Sequence, residues 1–293
     1  MRIGLVDVDG HHWPNLCLMK IAAFYKGQGH FVDWANSLER YDKVFMAKVF
    51  SFSNDDIQAY QTDELYQGGT GYSLGYKLAE EIEKITPDYT LYGISNTAYG
   101  YLTRGCPRAC PFCIVAEKEG KKSAKVANLK QFWNNQKYIK LLDPNILAAA
   151  EWEDLLGQLA DSKAIVDFTQ GLDIRLVNEE KIQAINCVRY QKLQFAWDNA
   201  ADKLTPEILK EYSKAWKVRN DRLNVFVLTN YNSTLEEDLY RVYRLREIGY
   251  DPYIMIFDKP NAPQKIRHLQ RWVNNKRIFR TTKTFEEYDC HRG

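Results

Sequence analysis

The sequence predicts an α/β protein in two parts: a parallel sheet over residues 1–95, then a repeat of six strand–helix units over residues 96–293. Three observations predict it. Short apolar runs rich in β-branched residues alternate with helical patterns, which is the grammar of parallel sheets. In the second part the runs close on polar or acidic residues. A loop with three cysteines in eight residues, Cys106 to Cys113, stands at the first of these strand ends.

The first element is the run Ile3-Gly4-Leu5-Val6-Asp7-Val8-Asp9, followed by a polar turn through Gly10-His11-His12. Pro14 opens a helical pattern on Leu16, Met19, Ile21, Ala22 and Ala23 that ends near Gly27 and Gly29. Residues 30–34, 44–47 and 64–67 read as further strands, and a helix is expected over residues 76–85. Strand, crossover helix, strand predicts a parallel sheet with helices on both faces. The turn Gly68-Gly69-Thr70-Gly71 stands at the carboxyl end of a strand, where such sheets bind ligands. It is not the dinucleotide fingerprint, and a tight turn is the plain alternative.

Residues 99–103 are the strand expected to deliver the cysteine loop, and the lysine-rich residues 117–125 an exposed loop. A helix over 129–136 precedes a strand over 138–142 that ends in Asp143-Pro144-Asn145. A helix over 151–159 precedes a strand over 164–168, ending in Gln170-Gly171-Leu172-Asp173-Ile174-Arg175. A helix over 179–185 leads to a strand over 193–197 that ends in Asp198-Asn199. Thr205-Pro206-Glu207 opens the next helix with Pro in its first turn. A strand over 223–228 ends in Thr229-Asn230, Thr234 caps a helix through Leu245, and a strand over 253–257 ends in Asp258-Lys259-Pro260. In parallel β/α barrels the catalytic groups gather at the carboxyl ends of the strands. One Asp there is commonly a helix cap. Five of six ends so equipped, around one cysteine loop, predict a shared polar mouth.

In Arg104-Gly105-Cys106-Pro107-Arg108-Ala109-Cys110-Pro111-Phe112-Cys113 the two prolines forbid a regular helix. The segment is expected to curl its three thiols together, a donor set suited to zinc or an iron–sulfur cluster. A cubane takes four cysteines as a rule, and Cys17, Cys187 and Cys290 are isolated in sequence. Three ligands leave one iron open for chemistry. A structural zinc site is the bland reading, although it wants four ligands and no His is near in sequence. A redox-active disulfide is the third.

C-x3-C-x2-C with an aromatic residue before the last cysteine resembles the signature of radical S-adenosylmethionine enzymes. The resemblance covers residues 96–293, whose six units agree with that family's partial (β/α)6 barrel. It implies that Cys106, Cys110 and Cys113 bind a [4Fe-4S] cluster and that Phe112 lies beside adenine. It also implies that the methionyl group of S-adenosylmethionine chelates the open iron. One electron then cleaves the sulfonium to a 5′-deoxyadenosyl radical, which abstracts hydrogen from an unidentified substrate. Asp143 and Asn145 stand where the family holds the methionyl amine, although its Gly-Gly-Glu segment is absent. Asp173 and Arg175 follow the third strand, where Arg meets the methionyl carboxylate or pairs with Asp structurally. Gln170 and Asp198 fall at ribose or substrate contacts, Asp258 on the substrate side, and Thr229 and Asn230 near adenine.

The N-terminal part resembles the Rossmann-like cobalamin-binding domain that precedes the barrel in one subgroup, through Pro14-Asn15-Leu16 and the Gly-Gly loop. The cobalt-ligating D-x-H-x-x-G motif is absent. His11 and His12 are therefore expected as turn residues or substrate contacts, and cobalamin is not the favoured cofactor.

Composition sets the outer bounds. The acid-bearing strand at the N-terminus is not a signal peptide, and no apolar run approaches the ~20 residues that cross a bilayer. Six cysteines with one tight triad suit a reducing compartment, so a cytoplasmic protein is expected. A net charge of +2 does not by itself imply a nucleic-acid partner. The last segment, with Lys265, Arg267, Arg271, Lys276, Arg277, Arg280 and Lys283 among Trp272, Phe279 and Tyr288, is a nucleic-acid surface or, preferably, a solvated last helix. The expected function is radical S-adenosylmethionine chemistry fed by a reductant such as flavodoxin or ferredoxin. Cobalamin-dependent methyl transfer or methylthio transfer is the runner-up. An iron–sulfur electron carrier and a zinc-stabilised binding protein are the non-enzyme alternatives.

Overall fold

The structure, a computed structural model, describes residues 1–10 and 13–290. His11 and His12, singled out above, lie outside the described residues. The chain is α/β with several parallel sheets. Strand β1 (Arg2–Asp7) is followed by helix α1 (Leu16–Gly27), β2 (Phe31–Trp34), β3 (Arg40–Ala47), β4 (Gln61–Gly68) and the single turn α2 (Glu80–Glu83). The four strands form one parallel sheet in the order β2-β1-β3-β4.

Asn15 caps α1, its side chain accepting from the amides of Cys17 and Leu18 at 3.0 and 3.3 Å. The buried face of α1 (Leu18, Ile21 and Ala22) packs on Ile3, Leu5 and Ala47. Helices on both faces were expected, and only one face has them. The other is closed by Tyr41, Tyr60 and Tyr72 over Val6, Val44 and Met46, because residues 35–39 carry the chain from β2 past β1 to β3 in five residues, too few for a helix. The helix expected over 76–85 shrinks to α2. Ser73 holds Gly75 and Tyr76 in a turn, and Ala79 is still extended (φ −57°, ψ 144°). The glycine turn after β4 serves close packing. Gly69 sits at φ +95°, and a Cβ there would stand 2.2 Å from the Lys48 carbonyl oxygen.

The second part continues with β5 (Thr97–Gly100), β6 (Thr103–Arg104), α3 (Val115–Lys118), β7 (Ala124–Lys125), β8 (Tyr138–Leu141), α4 (Trp152–Ser162), β9 (Ile165–Phe168) and α5 (Glu179–Cys187). Then come β10 (Arg189–Tyr190), β11 (Leu193–Ala196), α6 (Leu204–Glu211), β12 (Leu223–Thr229), α7 (Leu235–Glu247), β13 (Asp251–Ile256), α8 (Gln264–Asn274) and α9 (Lys276–Thr281). The lysine-rich residues 117–125 expected as loop thus begin in the end of α3 and finish in β7. The helix expected over 129–136 is a single 3-10 turn, Leu129–Gln131; Phe132 already leaves helical geometry (φ −136°), and Asn135 turns left-handed (φ +61°).

Two parallel sheets result, β10-β9-β8-β5 and β11-β12-β13. They share one split strand. Arg189 and Tyr190 pair with Ile165 and Val166 of β9, and Leu193–Ala196 then pair with β12. Across the break Leu172 N–H donates to the Gln194 carbonyl at 2.7 Å, and Gln194 Nε2 to the Phe168 carbonyl at 3.1 Å. One face of both sheets packs its apolar residues under α4, α5, α7 and α8 in a single core. Helix α8 buries Leu269, Trp272 and Val273 and leaves Lys265, Arg267 and Arg271 exposed.

The two parts are bonded together. Arg104 Nη2 reaches Glu83 Oε1 at 3.0 Å, beside Lys20 of the same part as Glu83, and Tyr89 Oη donates to the Phe132 carbonyl at 2.6 Å. Among the described residues no helix is long and apolar enough to cross a membrane.

Candidate functional site

The cysteine loop is anchored at its root. The carboxylate of Asp143, at the end of β8, accepts from Leu102 N–H (2.9 Å), Thr103 N–H (2.6 Å) and Thr103 Oγ1 (2.7 Å). Burial pushes the Asp143 carboxyl up to about 7, against the pull of these donors. Asp143 therefore faces the strand that leads into the cysteines. The β6–β7 pairing sets Arg104 opposite Ala124. Gly105 follows at φ +84°, where a Cβ would stand 2.2 Å from the Lys122 carbonyl oxygen, so only glycine lets the loop leave this hairpin. Cys106 N–H donates to the Gly120 carbonyl at 3.1 Å. Ala109 is left-handed (φ +45°), an uncommon state for a residue with a Cβ, and Cys113 N–H closes a turn on the Cys110 carbonyl at 3.0 Å.

Around this loop one carboxylate organises four groups. Asp173 accepts from Arg108 Nε at 2.5 Å, Arg175 Nε at 2.8 Å, Arg175 N–H at 3.3 Å and Asn145 Nδ2 at 3.3 Å. Burial works against its charge, but hydrogen bonds from Arg175 and Arg108 hold its carboxyl below the usual range. Arg108 lies between Cys106 and Cys110, so this network straps the cysteine loop to the end of β9. Asn145 Nδ2 also donates to Cys106 Sγ at 3.6 Å, while its Oδ1 is buried and has no hydrogen-bond partner. A buried acceptor without a donor costs about 1–3 kcal/mol, which points to a donor brought by a ligand.

Burial raises the Cys110 thiol, as do Asp198, Cys106 and Cys113, with Arg175 opposing. Burial likewise pushes Asp198 up to about 6, with Arg241 and Arg175 opposing. These mutual effects put the three thiols, Asp198 and Arg175 in one electrostatic neighbourhood. All six thiols are free. Among the described residues no three His, Cys, Asp or Glu side chains stand close enough to hold a single metal ion. The thiols are thus neighbours that do not converge on one point, as the loop was expected to make them. Thiolates of a cubane each take a different iron, so that chemistry does not require them to.

An aromatic chain joins the cysteine loop to the residues that follow β12 and β13. Phe112 meets Tyr231 edge to face (centroids 5.4 Å, 71°), and Tyr231 meets Phe257 in the same way (5.0 Å, 67°). Thr229 is buried, and its carbonyl accepts from Phe257 N–H at 3.0 Å. Asn230, left-handed at φ +61°, donates from Nδ2 to the Phe257 carbonyl at 2.8 Å.

Of the residues named from sequence, the structure bonds Cys106, Asn145, Asp173 and Arg175 together, with Cys110 and Asp198 in their field. Phe112, Thr229 and Asn230 connect through Tyr231 and Phe257. Gln170 is exposed in the turn after β9, and Asp258 accepts from Asn261 Nδ2 as a local cap. Arg108 and Tyr231 were missed. Arg108 had a signal, a fixed cation inside the cysteine spacing with an acid expected at a nearby strand end.

Replacing Asp173 with Ala is expected to lower stability by about 1–3 kcal/mol, since it removes an acceptor shared by charged donors. Cys106 should alkylate faster with iodoacetamide, read by mass spectrometry. An unchanged rate would show that the strap does not hold the loop.

The sequence matches no protein-family model, and no curated protein is similar to it at a significant level.

Proposed function

We propose that the chain is a radical S-adenosylmethionine enzyme, with residues 96–293 as its partial (β/α)6 barrel and residues 1–95 as a Rossmann-like partner domain. The observation that carries this is the orphaned Asn145 carboxamide oxygen, buried beside Cys106 in a C-x3-C-x2-C loop. Cys106, Cys110 and Cys113 would hold a [4Fe-4S] cluster, and their thiols would give up their protons to it. That cluster supplies the electron that cleaves the sulfonium of S-adenosylmethionine.

The chain's own groups bind and orient. Asn145 Oδ1 accepts from the methionyl ammonium. Arg175, already half-committed to Asp173, offers its remaining donors to the carboxylate. Asp198 accepts from ribose hydroxyls, and Phe112, Tyr231 and the Thr229–Asn230 backbone flank adenine. Asp143 and Asp173 position the loop. The electron comes from an external carrier such as flavodoxin or ferredoxin in a reducing cytoplasm, and the substrate is unidentified. The glycines of the turn after β4 are accounted for by packing on Lys48, so cobalamin and methyl transfer are not part of this reading.

Anaerobic reconstitution should load about four irons and four sulfides per chain. Dithionite with S-adenosylmethionine should then yield 5′-deoxyadenosine. Ala at Cys106, Cys110 or Cys113 should abolish both, whereas Asn145→Ala should keep the iron and lose the product. Zinc in place of iron would leave a zinc-stabilised binding protein, and a cluster that never cleaves S-adenosylmethionine would leave an electron carrier.

A further inference from the structure

Parallel strands covered on both faces carry Val, Ile and Leu on both. The helix-covered face here does so, through residues such as Ile139, Leu141, Val166, Phe195 and Val225. The opposite face holds Ile165 and Leu228 by the same alternation, but one row across it is polar. Ladder register sets Tyr99 of β5 beside Lys140 of β8, and Lys140 beside Asp167 of β9. It also sets Gln194 of β11 beside Asn224 of β12. Gln194 Nε2 donates to Asp167 Oδ1 at 3.2 Å and joins the two halves across the break. Five strands thus contribute one polar row, Tyr99, Lys140, Asp167, Gln194 and Asn224. Lys, Asp and Asn are depleted in strands, so ordinary sheet formation does not explain such a row.

Within it Lys140 is the open position. Asp167, its cross-strand neighbour, is engaged by Gln194 and by Lys192 Nζ at 3.6 Å. Among the described residues no carboxylate pairs with Lys140. Its Nζ stands instead over the ring of Trp13 at 4.3 Å and of Tyr99 at 5.5 Å, and Trp13 is itself 63% exposed. A cation held only by aromatic faces keeps its donors for an oxyanion, which binds it more strongly than a ring does.

We propose that this row is a substrate-binding surface and that Lys140 takes an anionic group, phosphate or carboxylate, of a polar substrate. Asp167 and Asn224 meet that substrate's hydrogen-bonding groups, the buried Gln194 holds Asp167 in place, and Trp13 covers the substrate from the N-terminal part. The proposal deepens the enzymatic reading of the neighbouring strand ends and rests on it for the word substrate. The binding itself needs neither cluster nor S-adenosylmethionine.

The test uses the full chain as purified, without reconstitution. Lysines are acetylated with an N-hydroxysuccinimide ester, and the rate at each is read by mass spectrometry in inorganic phosphate, succinate or chloride at equal ionic strength. Saturating anion should slow Lys140 by about threefold or more and leave the exposed Lys210 unchanged. Protection by phosphate alone assigns a phosphorylated ligand, and by succinate alone a carboxylate. Protection by neither, or equal slowing at Lys210, overturns the proposal. If Lys140 is protected and reconstituted protein makes no 5′-deoxyadenosine, the radical reading fails and the anion site stands. The reverse pattern leaves the enzyme and removes the site.

Discussion

Arg241→Met is expected to destabilise the protein by about 3–5 kcal/mol in urea denaturation, the cost of leaving a buried charge without its partner. Arg241 and Asp238, one turn apart on α7, are both fully buried. Arg241 donates to Asp238 Oδ1 at 2.5 Å, to the carbonyls of Trp197 and Leu228 at 2.8 Å each, and to Ser233 Oγ at 3.2 Å. Those carbonyls stand at the ends of β11 and β12, so one guanidinium clamps the strand ends that carry Asp198 and Thr229. Replacing both partners, Arg241→Met with Asp238→Leu, should recover a large part of the loss, because the stranded carboxylate goes with its cation. The two carbonyls stay unpaired and hold back the rest. Arg241→Lys keeps the charge but cannot fork to two carbonyls, so it should fall between. A double variant as unstable as the single one would show that packing, and not the stranded charge, sets the cost.

What was legible in the sequence was whatever a single segment announces by itself. Pro14 and Thr234 announce helix starts; Asn15 is the residue that caps the first, and Thr234 forms a full capping box with Glu237. Short apolar runs announced the longer strands of both parts, though not the two-residue strands β6, β7 and β10. Two helices were over-read, over 76–85 and over 129–136; in the second, Leu129, Phe132 and Trp133 have helical spacing, but the backbone leaves the helix at Phe132. Of the split fourth strand only residues 193–197 were legible, because Arg189 and Tyr190 are too short a run to declare a pairing. The polar row was hidden for another reason. Tyr138-Ile139-Lys140-Leu141 shows which residues share a face, but only register shows that Lys140 meets Tyr99 and Asp167. Arg241 was invisible among Arg244 and Arg246, because charge on a helix normally marks the solvated side.

At Asp143 stability and site order are expected to move in opposite directions with pH. Its carboxyl titrates near 7 in the folded chain because burial disfavours the charge, against 3.8 for the free group. The folded state therefore binds this proton more tightly. Its contribution is fully present below about pH 4 and is lost as pH rises through 7. The interval corresponds to about 4 kcal/mol at 1.36 kcal/mol per pH unit. Asp198, raised to about 6, adds a loss of the same sign, so the measurement is the difference between wild type and Asp143→Asn. From pH 4 to pH 8 that difference in urea-unfolding free energy should swing by about 4 kcal/mol against wild type. Ionisation nonetheless improves the grip on the cysteine loop, since three donors at 2.6–2.9 Å point at the carboxylate and a carboxyl proton would oppose one of them. Hydrogen exchange of the Thr103 amide, relative to Asp143→Asn, should therefore slow as the global stability falls. A difference that stays flat with pH would mean that Asp143 is ionised throughout and that its hydrogen bonds outweigh its burial.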